Sequence, residues 1–185
     1  MTFRKNLAAT LALGLMAAAV AAPGLAALPQ GAAAPNFTLN AAKGGKPFNF
    51  SLQQSLRKGP VVLSFFPAAF TSGCTVEAHL FAEATDSFRK LGATVVGVTA
   101  GNVERVAEFS KLECRDKFAV AADPGAKIAA EYKTTMQFQN RTLSERTSFV
   151  IAPDGKILLS YTDGNPQAHI EKTMAAVREW KAGRS

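Results

Sequence analysis

The chain has 185 residues and is 48% hydrophobic, which is enough apolar material for one domain with a sizeable core. Its formal net charge is +7, but acidic residues are interspersed with the basic ones and no run of five basic residues occurs. Composition and charge therefore disfavour a nucleic-acid-binding protein, since such proteins concentrate their positive charge in a patch or run.

The first residues have the composition of an export signal. Arg4 and Lys5 precede an uncharged run rich in Ala and Leu, Leu7–Ala22, which is followed by small residues. Signal peptides combine these three features, whereas a membrane-spanning helix needs about 20 apolar residues. We therefore expect residues 1–26 to be a signal peptide, residues 27–185 to be the mature domain, and the protein to be exported to the bacterial periplasm without staying in the membrane.

The rest of the chain alternates between strand and helix patterns. The first half predicts a hairpin within Ala34–Ser55, a strand Val61–Phe66 that ends at Pro67, a helix Cys74–Leu91, a strand Ala93–Thr99 and a helix Asn102–Lys117 that carries Cys114 near its end. The second half predicts a strand Phe118–Ala122, a helix Ala126–Tyr132, a polar loop Thr134–Glu145, a strand Thr147–Ala152, its hairpin partner Lys156–Tyr161 and a closing amphipathic helix Pro166–Trp180. This order predicts an α/β protein, a thioredoxin-like three-layer sandwich with a central mixed sheet and an N-terminal hairpin.

Cys74 is the candidate for chemistry in this fold. It is predicted in the first turn of a helix that follows a buried strand, where free backbone N–H groups and the helix dipole favour a thiolate. Arg146 precedes a strand whose start lies beside the start of the first long helix in a thioredoxin-like sheet, so we expect its guanidinium near the sulfur. Gly73 permits a close backbone approach, and the Thr71 hydroxyl can donate or accept a hydrogen bond there.

Two segments of the chain resemble the peroxiredoxins. Residues 67–74 read PAAFTSGC and fit the PxxxTxxC signature of that family, and residues 146–151 fit its arginine-bearing strand. The CTVE segment at Cys74 is similar to the peroxiredoxin Q, or bacterioferritin-comigratory, branch of the alkyl hydroperoxide reductase/thiol-specific antioxidant family. The resemblance covers Ala34 to Lys181.

This resemblance implies roles for the site residues. Pro67 would shield the pocket, Thr71 and Arg146 would bind the peroxide oxygens and activate Cys74, and Glu77 would hold Arg146. Gly73 would line the same substrate site.

The resemblance also implies the reaction. The protein would be a thiol-dependent peroxidase that reduces hydrogen peroxide and organic hydroperoxides with no metal or cofactor, with a thioredoxin-like protein as reductant and as a monomer or weak dimer. Many branch members carry a second cysteine five positions after the first, where this chain has His79. Cys114, forty positions on in the next predicted helix, resembles the family's alternative arrangement, which implies that it resolves the Cys74 sulfenic acid as an intramolecular disulfide.

Other interpretations remain open from the sequence. Cys74 could be a buried inert thiol, the two cysteines could form a structural disulfide, and an outside thiol could replace Cys114 in resolution. A thiol–disulfide oxidoreductase would carry CxxC, but Glu77 occupies the fourth position, and a copper-delivery protein would need a cysteine where Ala78 stands. His79 is more typical of a helix surface than of a metal site. A noncatalytic binding module is the remaining alternative.

Overall fold

Nine strands and five helices follow one another in residues 26–184, which the computed structural model describes. The first half contains β1 (Thr38–Lys43), β2 (Lys46–Ser51), α1 (Leu52–Leu56), β3 (Val61–Ala68), α2 (Ser72–Lys90), β4 (Thr94–Gly101), α3 (Val106–Leu112) and β5 (Ala119–Ala122). The second half contains α4 (Lys127–Glu131), β6 (Thr135–Phe138), β7 (Arg141–Ser144), β8 (Thr147–Ile151), β9 (Ile157–Thr162) and α5 (Pro166–Ala182). The alternation of strands and helices confirms the predicted α/β class.

Seven of these strands form one mixed sheet in the order β2-β1-β5-β4-β3-β8-β9. β3 pairs in parallel with β4 and antiparallel with β8, so the strand that leads into Cys74 is central. Side chains from α2, α3 and α5 form the core on one face, while those from α1, α4 and the β6–β7 hairpin pack on the other. The result is the predicted three-layer sandwich, with β1 and β2 as its N-terminal hairpin.

The course of β3 differs slightly from the prediction. The strand does not end at Pro67 but continues to Ala68, which pairs with Gly101 of β4. Pro67 has no N–H to contribute to the ladder, and its carbonyl accepts a hydrogen bond from the Thr99 hydroxyl at 3.2 Å. The chain therefore stays extended up to Ala68, shortly before α2 begins at Ser72.

The predicted helix Asn102–Lys117 is shorter than expected. Asn102 has a left-handed backbone (φ 54°), and a 3-10 turn separates it from α3, which ends at Leu112. Two consecutive non-glycine residues, Arg115 and Asp116, have φ values of 50° and 58° and cannot continue a right-handed helix. The prediction that Cys114 lies within this helix is therefore wrong, because Cys114 lies in the turn that follows it.

The predicted polar loop 134–145 is also wrong, because it folds as the β6–β7 hairpin. Phe138 pairs with Arg141, so only Gln139 and Asn140 form the turn, and both have positive φ values of 45° and 61°. Two positive φ values are what a two-residue turn between right-twisted strands requires. The short helix α1 was not predicted, and it begins with Ser51 accepting a hydrogen bond from the backbone of Gln54.

Two further findings concern the membrane and the leader. Within residues 26–184, no helix combines the length and the apolar character that crossing a bilayer requires. The predicted signal peptide falls on residues 1–25 and Ala26, and all but the last of these lie outside the described residues.

Candidate active site

Cys74 lies where the buried strand β3 gives way to the long helix α2. Thr71 has an extended backbone and is the N-cap, so Cys74 is the third residue of the helix. The first N–H groups of a helix have no partner within it and carry partial positive charge. Cys74 is only 3% exposed. The position of Cys74 in the first turn of a helix is as predicted from the sequence, and its near-complete burial is a finding of the structure.

The Arg146 guanidinium contacts both Cys74 and Glu77. Its Nη2 lies 3.5 Å from the Cys74 Sγ, and its Nη1 donates to Oε2 of Glu77 in a buried ion pair. A planar guanidinium can do this because its donors diverge in a fixed geometry. The structure therefore brings these three predicted residues together and gives each a defined contact.

Gly73 contributes by its lack of a side chain. A Cβ at this position would lie 3.1 Å from Arg146 Nη2, a closer approach than carbon and nitrogen ordinarily make. The glycine thus leaves room for the guanidinium beside the sulfur. This is a more specific role than the backbone freedom inferred from the sequence.

Glu77 is a charged residue inside the protein, with 2% of its surface exposed. Besides the Arg146 pair, its Oε1 accepts a hydrogen bond from the Ser64 hydroxyl at 2.9 Å. Burial raises the pKa of the Glu77 carboxyl above its ordinary value, and the positive charge of Arg146 opposes that rise. The carboxylate form of Glu77 therefore depends on the Arg146 guanidinium.

Pro67 and Thr71 both precede Cys74 in the sequence, and their polar groups form hydrogen bonds with other residues in this structure. The Thr71 hydroxyl donates to the carbonyl of Ala68 at 3.1 Å, and Thr71 is exposed. Pro67 is half-buried. The structure therefore places Thr71 at the N-cap of the helix that carries Cys74, with its hydroxyl directed to the Ala68 carbonyl rather than to the sulfur.

A narrow cavity lies beside the sulfur, and four phenylalanines contribute to its mainly apolar wall. Its lining includes Cys74, Glu77, Phe66, Phe81, Phe109 and Phe118. Phe109 belongs to α3 and stacks on Phe66 with ring centroids 5.5 Å apart, so α3 contacts the site layer directly. The environment of the thiol is thus apolar except at the Ser64, Glu77 and Arg146 groups.

Cys114 is fully buried in the same core layer as Cys74, and both thiols are free. Burial, and to a smaller extent the Glu113 carboxylate, raise the pKa of the Cys114 thiol well above its ordinary value. Cys114 in this position is therefore a protonated thiol and a poor nucleophile.

One hydrogen bond and two ion pairs attach the Cys114 segment, defined as Glu113–Lys117, to α2. The hydrogen bond is His79–Glu113 at 2.7 Å, and the ion pairs are Glu83–Arg115 at 3.2 Å and Asp86–Lys117 at 2.9 Å. Residues 113, 115 and 117 of the segment thus contact successive turns of α2. His79, at the position where branch members carry a cysteine, thus has a partner next to Cys114.

The sequence analysis missed three polar residues behind the site: Ser64, Ser148 and His169. All three are buried, with at most 3% exposed. The one available signal was a serine inside each of two apolar strands, VVLSFF and TSFVI. Among the described residues, no group of three or more His, Cys, Asp or Glu side chains is arranged to hold a metal ion.

Comparisons with known proteins show the family and the fold of this chain. The model of the AhpC/TSA family matches residues 30–160. The chain is 31% identical over 153 residues to the chloroplastic peroxiredoxin Q of Sedum lineare, covering 82% of this chain and 79% of that protein. It is 34% identical over 147 residues to the corresponding protein of Populus jackii, covering 78% and 66% respectively. The crystal structure of the peroxidoxin BcpB from Mycobacterium tuberculosis matches with a TM-score of 0.72 and 30% identity, over 81% of this chain and 96% of that one.

Proposed function

Because the chain belongs to the AhpC/TSA family and is a thiol-dependent peroxidase of the peroxiredoxin kind, we propose that Cys74 is the residue that attacks the peroxide. The observation that carries this assignment is the Arg146 Nη2 at 3.5 Å from the Cys74 Sγ, at the start of α2. A cation and a helix N-terminus together stabilise a thiolate, which is the nucleophilic form of cysteine.

The first step forms an S–O bond and breaks the O–O bond of the hydroperoxide. The Cys74 thiolate attacks one peroxide oxygen, and the other leaves and takes up a proton as water or an alcohol. The sulfur is oxidised to a sulfenic acid while the peroxide is reduced. Arg146 stabilises the charge on the reacting oxygens, the exposed Thr71 hydroxyl binds one of them, and Pro67 limits the access of water.

The second step joins the two cysteines. The Cys114 thiol attacks the sulfenic sulfur of Cys74, water leaves, and a disulfide forms. Cys114 is buried and protonated in the reduced fold, so the Cys114 segment must first detach from α2. A thioredoxin-like dithiol protein then reduces the disulfide by thiol–disulfide exchange and restores both thiols.

We also propose that the protein works outside the cytoplasm. The basic pair at positions 4 and 5, the apolar run 7–22 and the small residues after it support a signal peptide over residues 1–26 and export to the bacterial periplasm. Fractionation of expressing cells tests this, with intact-mass analysis of the periplasmic protein. A full-length protein in the cytoplasm would contradict it.

A monomer or weak dimer is the proposed assembly state. The exposed large apolar side chains of the described residues come from four different elements, one each from β2, α2, α3 and β6, so no single element presents a wide apolar face. Light scattering during size-exclusion chromatography measures the mass, and a stable ring of subunits would contradict the proposal.

The nucleophile assignment is tested by peroxide consumption. Reduced protein is mixed with hydrogen peroxide, and the loss of peroxide is followed with and without a thioredoxin-like reductant. Wild type should consume peroxide in both cases, stoichiometrically without reductant and repeatedly with it. Cys74→Ser should consume none while keeping the fold, and retained turnover in this variant would contradict the assignment.

A further inference from the structure

A continuous chain of polar side chains runs from the active site through the otherwise apolar core under α2 and α5. Ser64 of β3 and Ser148 of β8 are direct partners in the antiparallel register. The Ser64 hydroxyl is 2.9 Å from Glu77 and 3.3 Å from the Ser148 hydroxyl, and the Ser148 hydroxyl is 2.9 Å from Nδ1 of His169. The elements β3, α2, β8 and α5 thus contribute one residue each to this polar chain.

His169 ends this chain inside the protein. It is fully buried on α5, and its Nε2 lies 2.9 Å from the backbone carbonyl oxygen of Asp163. The ring of Tyr161 packs edge-on against the imidazole with centroids 5.0 Å apart. Both ring nitrogens therefore have a fixed partner, and the imidazole has no contact with the sulfur itself in the described geometry.

The positions of the protons follow from the partners. The Glu77 carboxylate only accepts, so Ser64 donates its single hydroxyl proton to it, and Ser148 must then donate to Ser64. Ser148 has no second proton, so the bond between Ser148 and His169 needs a proton on Nδ1. A carbonyl oxygen also only accepts, so Nε2 carries a proton as well. With every bond made, His169 is an imidazolium.

If the hydrogen bonds between these polar side chains ran in the opposite direction, Glu77 would have to be protonated and uncharged. If Glu77 were protonated and donated to Ser64, every bond could point toward a neutral His169. The Arg146 guanidinium donates to the other oxygen of Glu77, which favours the carboxylate. The ion pair at the active-site end thus selects the arrangement with a charged His169 at the other end.

We propose that His169 is a positioning residue for the peroxidase reaction, held as an imidazolium that keeps Glu77 ionised and so keeps the Arg146 guanidinium directed at Cys74. The inference rests on the proposed role of Cys74. Its physical basis is that a buried carboxylate needs compensating charge and hydrogen bonds, and Arg146 alone supplies only part of them. Apolar residues at positions 64, 148 and 169 could fill the same space, but they would supply Glu77 with neither charge nor hydrogen bonds.

Variants at position 169 test the proposal in a Cys114→Ser background, where Cys74 is the remaining thiol. His169→Leu removes both hydrogen bonds and the charge, and His169→Gln retains a donor without charge. The readouts are the thiolate fraction of Cys74 at neutral pH, from its ultraviolet absorbance, and the rate constant for its oxidation by hydrogen peroxide.

The matched control is Thr173→Val. Thr173 lies one turn further along α5, is equally buried, and uses its hydroxyl on the carbonyls of His169 and Ile170 rather than on the polar chain. We expect the oxidation rate to fall about tenfold in His169→Leu, less in His169→Gln, and to stay at the wild-type value in Thr173→Val. Equal rates and thiolate fractions in all of these proteins would overturn the proposal.

A spectroscopic measurement tests the wild-type protein directly and does not depend on whether a variant folds. The chain has two histidines, so a nitrogen-15 spectrum of histidine-labelled protein contains two imidazoles, and His79→Gln assigns them. Both ring nitrogens of His169 should carry protons at neutral pH. A ring nitrogen without a proton would overturn the proposal, whereas a wild-type Cys74 that does not react with peroxide would instead overturn the assigned function.

Discussion

The Arg146 guanidinium lies with Nη2 3.5 Å from the Sγ of Cys74, although 72 positions separate the two residues in the sequence. The contact forms because β8, which follows Arg146, pairs with β3, which leads into Cys74. Glu77, one turn after Cys74, holds the other arm of the same guanidinium. The fold thus fixes a cation beside the nucleophile through two neighbouring strands and the helix that follows the first of them.

Replacing Arg146 should slow the oxidation of Cys74. In Arg146→Lys, a single ammonium cannot contact both Glu77 and the sulfur, so we expect the oxidation rate to fall about a hundredfold. Arg146→Ala would also leave Glu77 buried without its partner, at a cost of about 3 kcal/mol in stability, and is the less informative change. Stopped-flow oxidation by hydrogen peroxide gives the rate.

The control for this change is Arg57→Ala, because Arg57 is exposed at the end of α1 on the opposite face of the sheet. It should react at the wild-type rate. If Arg146→Lys also reacts at the wild-type rate, Arg146 has no role in activating Cys74.

Gly73→Ala separates activity from stability. The added methyl would lie 3.1 Å from Arg146 Nη2 and should push the guanidinium away from the sulfur, lowering the oxidation rate about tenfold. Alanine is a better helix former than glycine by up to about 1 kcal/mol, so unfolding stability should not fall. Ser72→Ala, at an exposed position in the same turn, is the control that should leave the rate unchanged. A slow but equally stable Gly73→Ala protein is the expected result, and an unaltered rate would contradict it.

The catalytic end of the site could be predicted from the sequence for a physical reason. The local pattern of an apolar strand followed by a helix start predicts Cys74 at a helix N-terminus. Arg146 followed from its place before a predicted strand, and Glu77 followed from the resemblance of the CTVE segment to peroxiredoxin Q. The polar chain could not be predicted in this way. Ser64 and Ser148 meet through the register of two strands far apart in sequence, and His169 reaches them through the packing of α5.

The two wrong predictions have a common cause. Turns at Arg115–Asp116 and Gln139–Asn140 use positive φ values without glycine, so the usual turn signal is absent from the sequence. The first follows Cys114, which lies two residues after the end of α3 at Leu112, and the second converts a predicted loop into a hairpin. Asp116 and Asn140 belong to residue types that tolerate a positive φ, but Arg115 and Gln139 do not indicate one.

Weakening the ion pairs of the Cys114 segment should speed disulfide formation. In the double variant Arg115→Gln and Lys117→Gln, both ion pairs of the segment with α2 are lost, so the segment should detach more readily. We expect the sulfenic acid to be converted to the disulfide about threefold faster, and added salt to have a similar effect on wild type. Quenched-flow alkylation followed by mass spectrometry measures the conversion.

A double variant of equal charge change provides the control. Arg57→Gln with Lys127→Gln alters exposed residues of α1 and α4 on the other face of the sheet. This protein should form the disulfide at the wild-type rate. An equal acceleration in both double variants would mean that net charge, rather than the attachment of the segment, controls resolution.

The buried Cys114 thiol should make stability depend on alkaline pH. Its pKa is raised in the folded protein, so above the ordinary value of 9.0 the unfolded chain loses this proton while the folded one keeps it. Stability contributed by the protonated thiol is present below pH 9.0 and is lost as pH rises, by up to about 1.4 kcal/mol per pH unit. Denaturant unfolding of wild type and Cys114→Ser, which cannot titrate there, should show the difference between them falling with pH. A difference independent of pH would contradict the burial of this thiol.

The role of Cys74 is tested most directly by identifying which sulfur one equivalent of hydrogen peroxide oxidises. Reduced protein is treated with the peroxide in the presence of dimedone, which traps sulfenic acids, and is then digested for mass spectrometry. We expect the dimedone adduct on Cys74 in Cys114→Ser, and a Cys74–Cys114 disulfide in wild type. A Cys74 that remains a free thiol while the peroxide persists, or while another residue is oxidised, would contradict the account.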